Sequence, residues 1–185
     1  MLTIPMDESG IMEWFSGIHG TLLDPAMVGF SYSATAGLVW VTIGLLLIYR
    51  GNRMGGLAVI ISVVAALIVC DLLMKPIFDR PRPFDELDLD VLTHLPDTSS
   101  FPSAHTATAF AGAVSLLWIG RRWFLVGIAY ASAVGLSRVY VCVHWPTDVL
   151  AGAVIGTAIA VVMMVLIPRL APDSRIEPLS GFLRL

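Results

Sequence analysis

The feature that most constrains the fold of this chain is a series of long stretches with almost no charged residues. Five such stretches occur, at residues 25–49, 54–74, 104–120, 123–143 and 149–168. The only charged side chains within them are Asp71 and Arg138. A helix that crosses a bilayer needs about 20 mostly apolar residues. The pattern therefore predicts an all-α integral membrane bundle with five transmembrane helices.

The composition is typical of one membrane-embedded domain, which we expect to cover residues 1–185. Hydrophobic residues make up 57% of the chain and charged residues 14%, whereas soluble domains average about 25% charged residues. The basic residues form no broad patch, so we expect no nucleic-acid partner. Residues 11–23 are apolar but short. We expect them to form an interfacial helix, or a short helix that enters the membrane, as a sixth element.

The loops between the predicted spans divide the basic residues unequally between the two membrane faces. One face holds Arg50, Arg53, Arg121, Arg122, Arg169, Arg175 and Arg184. The other face holds loops 75–102 and 139–148, and its basic residues are Lys75, Arg80 and Arg82, together with Arg138 at the end of a predicted span. Lys and Arg favour the cytoplasmic side, so the first face and the C-terminus are predicted to be cytoplasmic. Loops 75–102 and 139–148 then face away from the cytoplasm.

Small residues repeat every four positions in the last predicted span, at Gly152, Gly156 and Ala160. Small side chains at this spacing allow two helices to approach closely. We therefore expect this face to pack directly against a neighbouring helix.

Polar residues with potential for chemistry begin at the end of the second span. The segment "KPIFDRPRP" (75–83) presents Lys75 and Arg82, with prolines that restrict the backbone around Arg82. Asp71 precedes Lys75 by four residues, a spacing at which an ion pair forms on one helix face. A plain membrane anchor is the alternative interpretation of the basic residues, but anchors of this kind belong mainly on the cytoplasmic side.

Two further segments carry histidines at the start of predicted spans. In "FPSAHTATAF" (101–110), Ser103 is suited to cap a helix whose first-turn N–H groups attract anions. In "SRVYVCVHWPTD" (137–148), the carboxylate of Asp148 follows His144 by four residues and can orient its imidazole. Taken singly, each segment also fits an ordinary helix cap or a polar turn.

The predicted spans place all three segments on one face, and this placement favours a chemical function over three separate turns. Lys and Arg bind phosphate oxygens, Arg in bidentate fashion. A neutral His beside an Asp is a nucleophile, and a second His can protonate a leaving oxygen. The carboxylates show no metal-binding arrangement. We therefore predict phosphoryl transfer at a membrane surface without a metal or other cofactor.

The three segments resemble the signature of the type 2 phosphatidic acid phosphatase superfamily. Its pattern is K-x6-R-P, then P-S-G-H, then S-R-x5-H-x3-D. This chain has Lys75 with Arg82-Pro83, then Pro102-Ser103-Ala104-His105, then Ser137-Arg138, His144 and Asp148. One departure is Ala104, where the family often has Gly. An alanine there predicts ordinary backbone angles.

The resemblance implies a role for each matching residue. His144 would attack phosphorus, Asp148 would orient His144, and His105 would protonate the leaving group. The residues that would hold the phosphoryl oxygens are Lys75, Arg82, Ser103 and Arg138, with backbone N–H groups near Ala104.

The predicted substrate is a lipid phosphate whose tail stays in the bilayer. The short chain is similar to small bacterial members of the family, which favours undecaprenyl diphosphate. Phosphatidate and phosphatidylglycerophosphate are the alternatives within this class. The family also resembles vanadium haloperoxidases, which are soluble, and a non-enzymatic anion transporter would also gather basic residues. The oligomeric state stays open.

Overall fold

The computed structural model describes residues 7–170, and within this range the chain forms helices and no β-strand. The α-helices are α1 (Ser9–Gly17), α2 (Asp24–Ser33), α3 (Leu38–Tyr49), α4 (Arg53–Leu67), α5 (Lys75–Phe78), α6 (Pro83–Glu86), α7 (Ala104–Ser115), α8 (Arg121–Tyr140) and α9 (Pro146–Leu170). A π-helical segment, Ile68–Met74, continues α4 into α5. The all-α prediction is confirmed. The tail after Leu170, including Arg175 and Arg184, lies outside the described residues.

Among residues 7–170, three helical stretches are long and apolar enough to cross a membrane. They are the stretch that begins at Arg53, helix α8 and helix α9. Helices α2 and α3 satisfy the same criterion together, but they are bent by 49° relative to each other. These lengths confirm the membrane class. Helix length alone does not give the five predicted crossings, because α7 has only 12 residues and is too short to meet the criterion.

The predicted span 25–49 is divided into two helices at Ala36 and Gly37. Both residues have positive φ angles, 50° and 68°. Gly37 also lies so close to α4 that a Cβ built on it would be 2.5 Å from Cγ1 of Val63. The bend therefore brings this part of the chain against α4 at a position where a larger side chain does not fit.

Helix α7 is the central helix of the bundle, packed against α4, α8 and α9. Ten of its residues are buried, and the neighbouring helices exclude it from the lipid-facing surface. On α9, a Cβ added to Gly152 would lie 2.5 Å from the carbonyl oxygen of Ser103, and one added to Gly156 would overlap that of Ala107. The predicted close packing of the small-residue face of α9 is confirmed, with α7 as the partner.

Helix α1, which corresponds to much of the predicted element 11–23, lies at the end of the bundle where α8 ends. Met12 is fully buried and packs with Val139, Cys142 and Trp145. The nine residues of α1 are too few to cross a bilayer. The helix instead covers the loop that joins α8 to α9.

Candidate active site

Hydrogen bonds bring the three motif segments together at one end of the bundle. Arg82 donates from Nη1 to the carbonyl oxygen of Val143 at 2.7 Å, which joins the first segment to the third. The backbone N–H of Ser103 donates to the carbonyl oxygen of Asp148 at 3.1 Å, which joins the second segment to the third. Residues separated by more than 40 positions thus form one site.

The second segment places a helix N-terminus in this site. Ser103 caps α7, and its Oγ accepts hydrogen bonds from the backbone N–H and the hydroxyl of Thr106. Ala104 is the first residue of α7 and is not among the described non-glycine residues with positive φ. Both sequence predictions for this segment, the cap and the ordinary backbone, are confirmed. The uncompensated N–H groups of the first turn therefore face the site end.

Lys75 and His105 share a cavity of about 210 Å³. Its other lining residues are Ala34, Ala36, Leu67, Asp71, Ala104 and Thr108. The ammonium group of Lys75 lies 2.6 Å from a carboxylate oxygen of Asp71, which confirms the predicted ion pair. It also donates to the hydroxyl of Thr98 at 3.2 Å. The cavity is therefore lined by both a cationic side chain, Lys75, and an imidazole, His105.

His144 and Asp148 form a buried pair around the start of α9. The exposed fractions of the two residues are 2% and 0%. Nδ1 of His144 lies 3.6 Å from Oδ2 of Asp148. The backbone N–H of His144 donates to the carbonyl oxygen of Arg138 at 3.3 Å, which fixes the loop on the end of α8. Neither residue lines the cavity that contains His105 and Lys75.

Two arginines are buried beside this pair without a carboxylate partner among residues 7–170. Arg82 is 2% exposed and Arg138 is 5% exposed, and neither forms a side-chain ion pair within that range. Arg82 uses its guanidinium on backbone carbonyls and the Thr98 hydroxyl. Arg138 donates from Nη1 to the hydroxyl of Ser31, while its Nε has no hydrogen-bond partner within the described chain. Buried cations of this kind are costly and favour the binding of an anion.

The family model described as PAP2 superfamily matches residues 55–172 of the chain. The match includes every residue of the three motifs and covers more than half of the sequence. The chain belongs to the PAP2 superfamily. The resemblance found in the sequence is therefore confirmed.

Curated relatives of this PAP2 protein include two undecaprenyl-diphosphatases. The one from Sulfolobus acidocaldarius is 37% identical over 142 residues, which are 75% of this chain and 68% of that protein. The one from Bacillus subtilis, BcrC, is 29% identical and aligns with 80% of this chain and 79% of its own length. The lipid A 4′-phosphatase of Bacteroides thetaiotaomicron is 28% identical over 80% of this chain and 72% of that protein.

Crystal structures that share the fold of this PAP2 protein include two bacterial proteins. Aquifex aeolicus LpxE superposes with a TM-score of 0.73 at 26% identity, covering 89% of this chain and 99% of that one. A PAP2-type phosphatidylglycerolphosphate phosphatase from Bacillus subtilis has a TM-score of 0.74 at 23% identity, covering 88% and 85% of the two chains. The second is a transmembrane protein, and its likeness to this chain shows that the two share a fold.

Several residues that contact the site received no role from the sequence, and four of them are charged or serine side chains close to Asp148 or Arg138. These four are Glu8, Ser31, Arg80 and Ser100. Ser100 and Ser31 are common surface residue types and carry no sequence signal. Arg80 does carry one, because it precedes a proline as Arg82 does, in the same Pro-rich segment.

Burial keeps the imidazole of His144 neutral. Burial is the main cause that lowers the pKa of His144 to about 3. Asp148 acts in the opposite direction, and the charges of Arg82 and Arg138 lower the pKa further. A neutral imidazole has the lone pair that a nucleophile requires. Among the residues that the structure describes, no group of three or more His, Cys, Asp or Glu side chains is arranged to hold a metal ion.

Proposed function

We propose that this PAP2 protein is a membrane lipid phosphatase that converts undecaprenyl diphosphate to the monophosphate through a phosphohistidine on His144. The observation that carries the proposal is a pair of buried arginines, Arg82 and Arg138, which have no ion-pair partner among residues 7–170 and lie beside a buried His–Asp pair. Such a site is incomplete in charge until an anion binds, and a phosphoryl group supplies both the charge and the electrophile.

The first step forms a bond between His144 and phosphorus. Nε2 of His144 attacks the terminal phosphorus, and the bond from phosphorus to the bridging oxygen breaks. His105 donates a proton to the departing lipid monophosphate. Asp148, next to Nδ1, stabilises the positive charge that develops on the imidazole.

The second step releases inorganic phosphate. A water molecule attacks the phosphohistidine, and His105, now deprotonated, accepts a proton from that water. The phosphorus–nitrogen bond breaks, which returns His144 to its neutral form. Throughout both steps Lys75, Arg82, Arg138, Ser103 and the N–H groups at Ala104 would bind the phosphoryl oxygens.

The position of the site at one end of the bundle suits a lipid substrate. The cavity that holds Lys75 and His105 has apolar walls at Ala34, Ala36 and Leu67. A lipid phosphate can meet polar groups there while its tail stays in the hydrocarbon. The relatives named undecaprenyl-diphosphatase favour the polyprenyl diphosphate, and the lipid A 4′-phosphatase shows that a related chain acts on another lipid.

We further propose five membrane crossings with the site on the extracytoplasmic face. Helix α7 begins at the site end, where Ser103 bonds to Asp148. The turn that follows it, Leu116–Trp118, reaches the opposite end, where Trp118 packs with Met54 and Ile167. Helix α7 and the turn after it therefore connect the two ends of the bundle, although α7 itself has only 12 residues. The arginine bias of the loops supports a cytoplasmic location for that opposite end.

Phosphate release by the purified protein tests this function. Wild type, His144→Ala and His94→Ala would be assayed in EDTA with undecaprenyl diphosphate, phosphatidate and phosphatidylglycerophosphate. His94 is exposed and serves as the matched control. We expect wild type and His94→Ala to release phosphate fastest from the polyprenyl diphosphate. We expect His144→Ala to be slower by on the order of a thousandfold or more.

Each contrary outcome has a distinct meaning. Preference for a glycerophospholipid would change the assigned substrate but would leave the phosphohistidine mechanism unchanged. A strict requirement for metal would contradict the cofactor-free mechanism. Equal release by wild type and His144→Ala would refute the catalytic assignment, and no release from any lipid would favour transport.

A further inference from the structure

Arg80 lies directly behind the Asp148 carboxylate, on the side away from His144. Its Nη1 donates to Oδ1 of Asp148 at 2.6 Å and to the hydroxyl of Thr147 at 2.7 Å. Its guanidinium also lies over the ring of Trp145, with Cζ 5.3 Å from the ring centroid. Arg80 is therefore held on several sides by the residues that follow His144.

Glu8 completes this arrangement from the N-terminal end of the chain. It is only 3% exposed, and its Oε2 accepts from Nη2 of Arg80 at 2.8 Å. Its carboxylate also accepts from the backbone N–H and the hydroxyl of Thr147, at 2.8 and 2.7 Å. Burying a carboxylate costs free energy unless it is paired and hydrogen-bonded. The contacts with Arg80 and Thr147 offset this cost for Glu8 and fix its position. Glu8 precedes the range that the family model matches.

The contacts of Asp148 fix both of its oxygens. Oδ1 accepts from Arg80, while Oδ2 accepts from the hydroxyl of Ser100 at 2.5 Å and from the backbone N–H of Trp145 at 2.9 Å. These bonds prevent rotation of the carboxylate and leave Oδ2 facing Nδ1 of His144. The positive charge of Arg80 also favours the ionised form of this fully buried carboxylate.

We infer that Arg80, supported by Glu8, is a positioning residue that holds Asp148 ionised and aimed at His144. The inference rests on the proposed function, because its consequence is the rate at which His144 is phosphorylated. Arg80 does not line the cavity that contains Lys75 and His105. Its loss should therefore lower kcat and leave KM nearly unchanged.

The fork of the guanidinium explains why this position requires arginine. Arg80 reaches Asp148 with one terminal nitrogen and Glu8 with the other. A lysine has one ammonium nitrogen and cannot maintain both bonds in the same geometry. Arg80→Lys keeps the charge between the two carboxylates and therefore protects the fold, while it loosens the support of Asp148.

The test compares Arg80→Lys with Arg122→Lys, the same substitution at an exposed arginine on the opposite end of the bundle. Steady-state kinetics would give kcat and KM, and rapid quenching would give the rate of phosphoenzyme formation. We expect Arg80→Lys to lower kcat and that rate by about 10–100-fold, as for other residues that orient a catalytic ligand. We expect KM to change by less than about twofold and Arg122→Lys to match wild type.

Glu8 provides an independent check. Because Glu8 supports Asp148 both through Arg80 and through Thr147, Glu8→Gln alone should lower kcat by a smaller factor than Arg80→Lys does. The double variant should lose less than the product of the two single losses, since the two residues share one support of Asp148. Wild-type kcat in Arg80→Lys, or a raised KM with unchanged kcat, would overturn the inference while the phosphatase function stands. If wild type releases no phosphate from any lipid, both fail together.

Discussion

Nδ1 of His144 lies 3.6 Å from Oδ2 of Asp148, a distance longer than a hydrogen bond. Both oxygens of Asp148 are bonded elsewhere, and Nδ1 has no hydrogen-bond partner among the described residues. The Asp148 carboxylate thus faces the His144 imidazole without a hydrogen bond between them. In the proposed mechanism, Asp148 lies next to the ring nitrogen that would share the positive charge of the phosphorylated imidazole.

The first prediction concerns the pH dependence of kcat/KM. The pKa of His144 is lowered to about 3, so the neutral, nucleophilic form persists as pH falls below the ordinary histidine value of about 6.5. Activity should decline only at strongly acidic pH. The profile would be measured with two substrates whose phosphate pKa values differ, and circular dichroism would verify that the protein stays folded. An acidic limb near pH 6.5 with both substrates would contradict the prediction.

The second prediction contrasts the two buried arginines. Arg138→Met removes a buried cation that has no ion pair in the described chain, so the free energy of unfolding should stay equal or rise by about 1–4 kcal/mol. Arg82→Met removes the donor from the buried carbonyl oxygen of Val143 and from the part-buried carbonyl oxygens of Thr98 and Ser99, and should lower the free energy of unfolding by about 1–3 kcal/mol. Both substitutions should lower kcat/KM at least about a hundredfold. Thermal unfolding in detergent and phosphate release would be measured together; a destabilised Arg138→Met would contradict our account of its charge.

The third prediction uses inorganic phosphate as a ligand. A ligand that binds only the folded state raises Tm, by an amount that corresponds to about 2.7 kcal/mol at 100 times its Kd. Phosphate should raise the Tm of wild type and not that of Arg138→Met. Sodium chloride at matched ionic strength is the control for general salt effects. Equal shifts in the two proteins would show that phosphate does not bind at Arg138.

The fourth prediction concerns the contact between α7 and α9. A Cβ on Gly156 would overlap the carbonyl oxygen of Ala107, so Gly156→Ala should destabilise the protein by about 1–3 kcal/mol. It should also lower kcat, since α9 carries Asp148. Gly29→Ala is the matched control, because nothing lies within 4 Å of a Cβ at that exposed helical position. The two variants would be compared by thermal unfolding, and similar Tm values would contradict the packing argument.

Features that depend on local spacing could be predicted from the sequence. The Ser103 cap and the Asp71–Lys75 pair each follow from residues within four positions of one another. The packing face at Gly152 and Gly156 follows from helical periodicity. The motif residues meet at one end because the order of apolar stretches determines which loops share a face.

Features that depend on distant parts of the chain could not be predicted in this way. The hydrogen bonds that Arg80 donates to Glu8 and Arg138 donates to Ser31 join residues 72 and 107 positions apart. No local pattern marks either bond. The bend at Ala36 was also missed, because alanine rarely adopts a positive φ and residues 26–49 contain no charge or proline. Helix α7 is shorter than its apolar stretch suggested because it ends in a turn at Leu116–Trp118.

The most direct test of the central claim is to find the phosphoryl group on His144. Wild type, His144→Ala and His94→Ala would be mixed with undecaprenyl diphosphate and quenched rapidly in alkaline denaturant, which preserves phosphohistidine. Mass spectrometry would then locate the modification. Our account predicts one phosphoryl group on His144 in wild type and His94→Ala, formed before steady-state phosphate release, and none in His144→Ala. Phosphate release with no phosphoryl group on His144, or with the group on another residue, would contradict it.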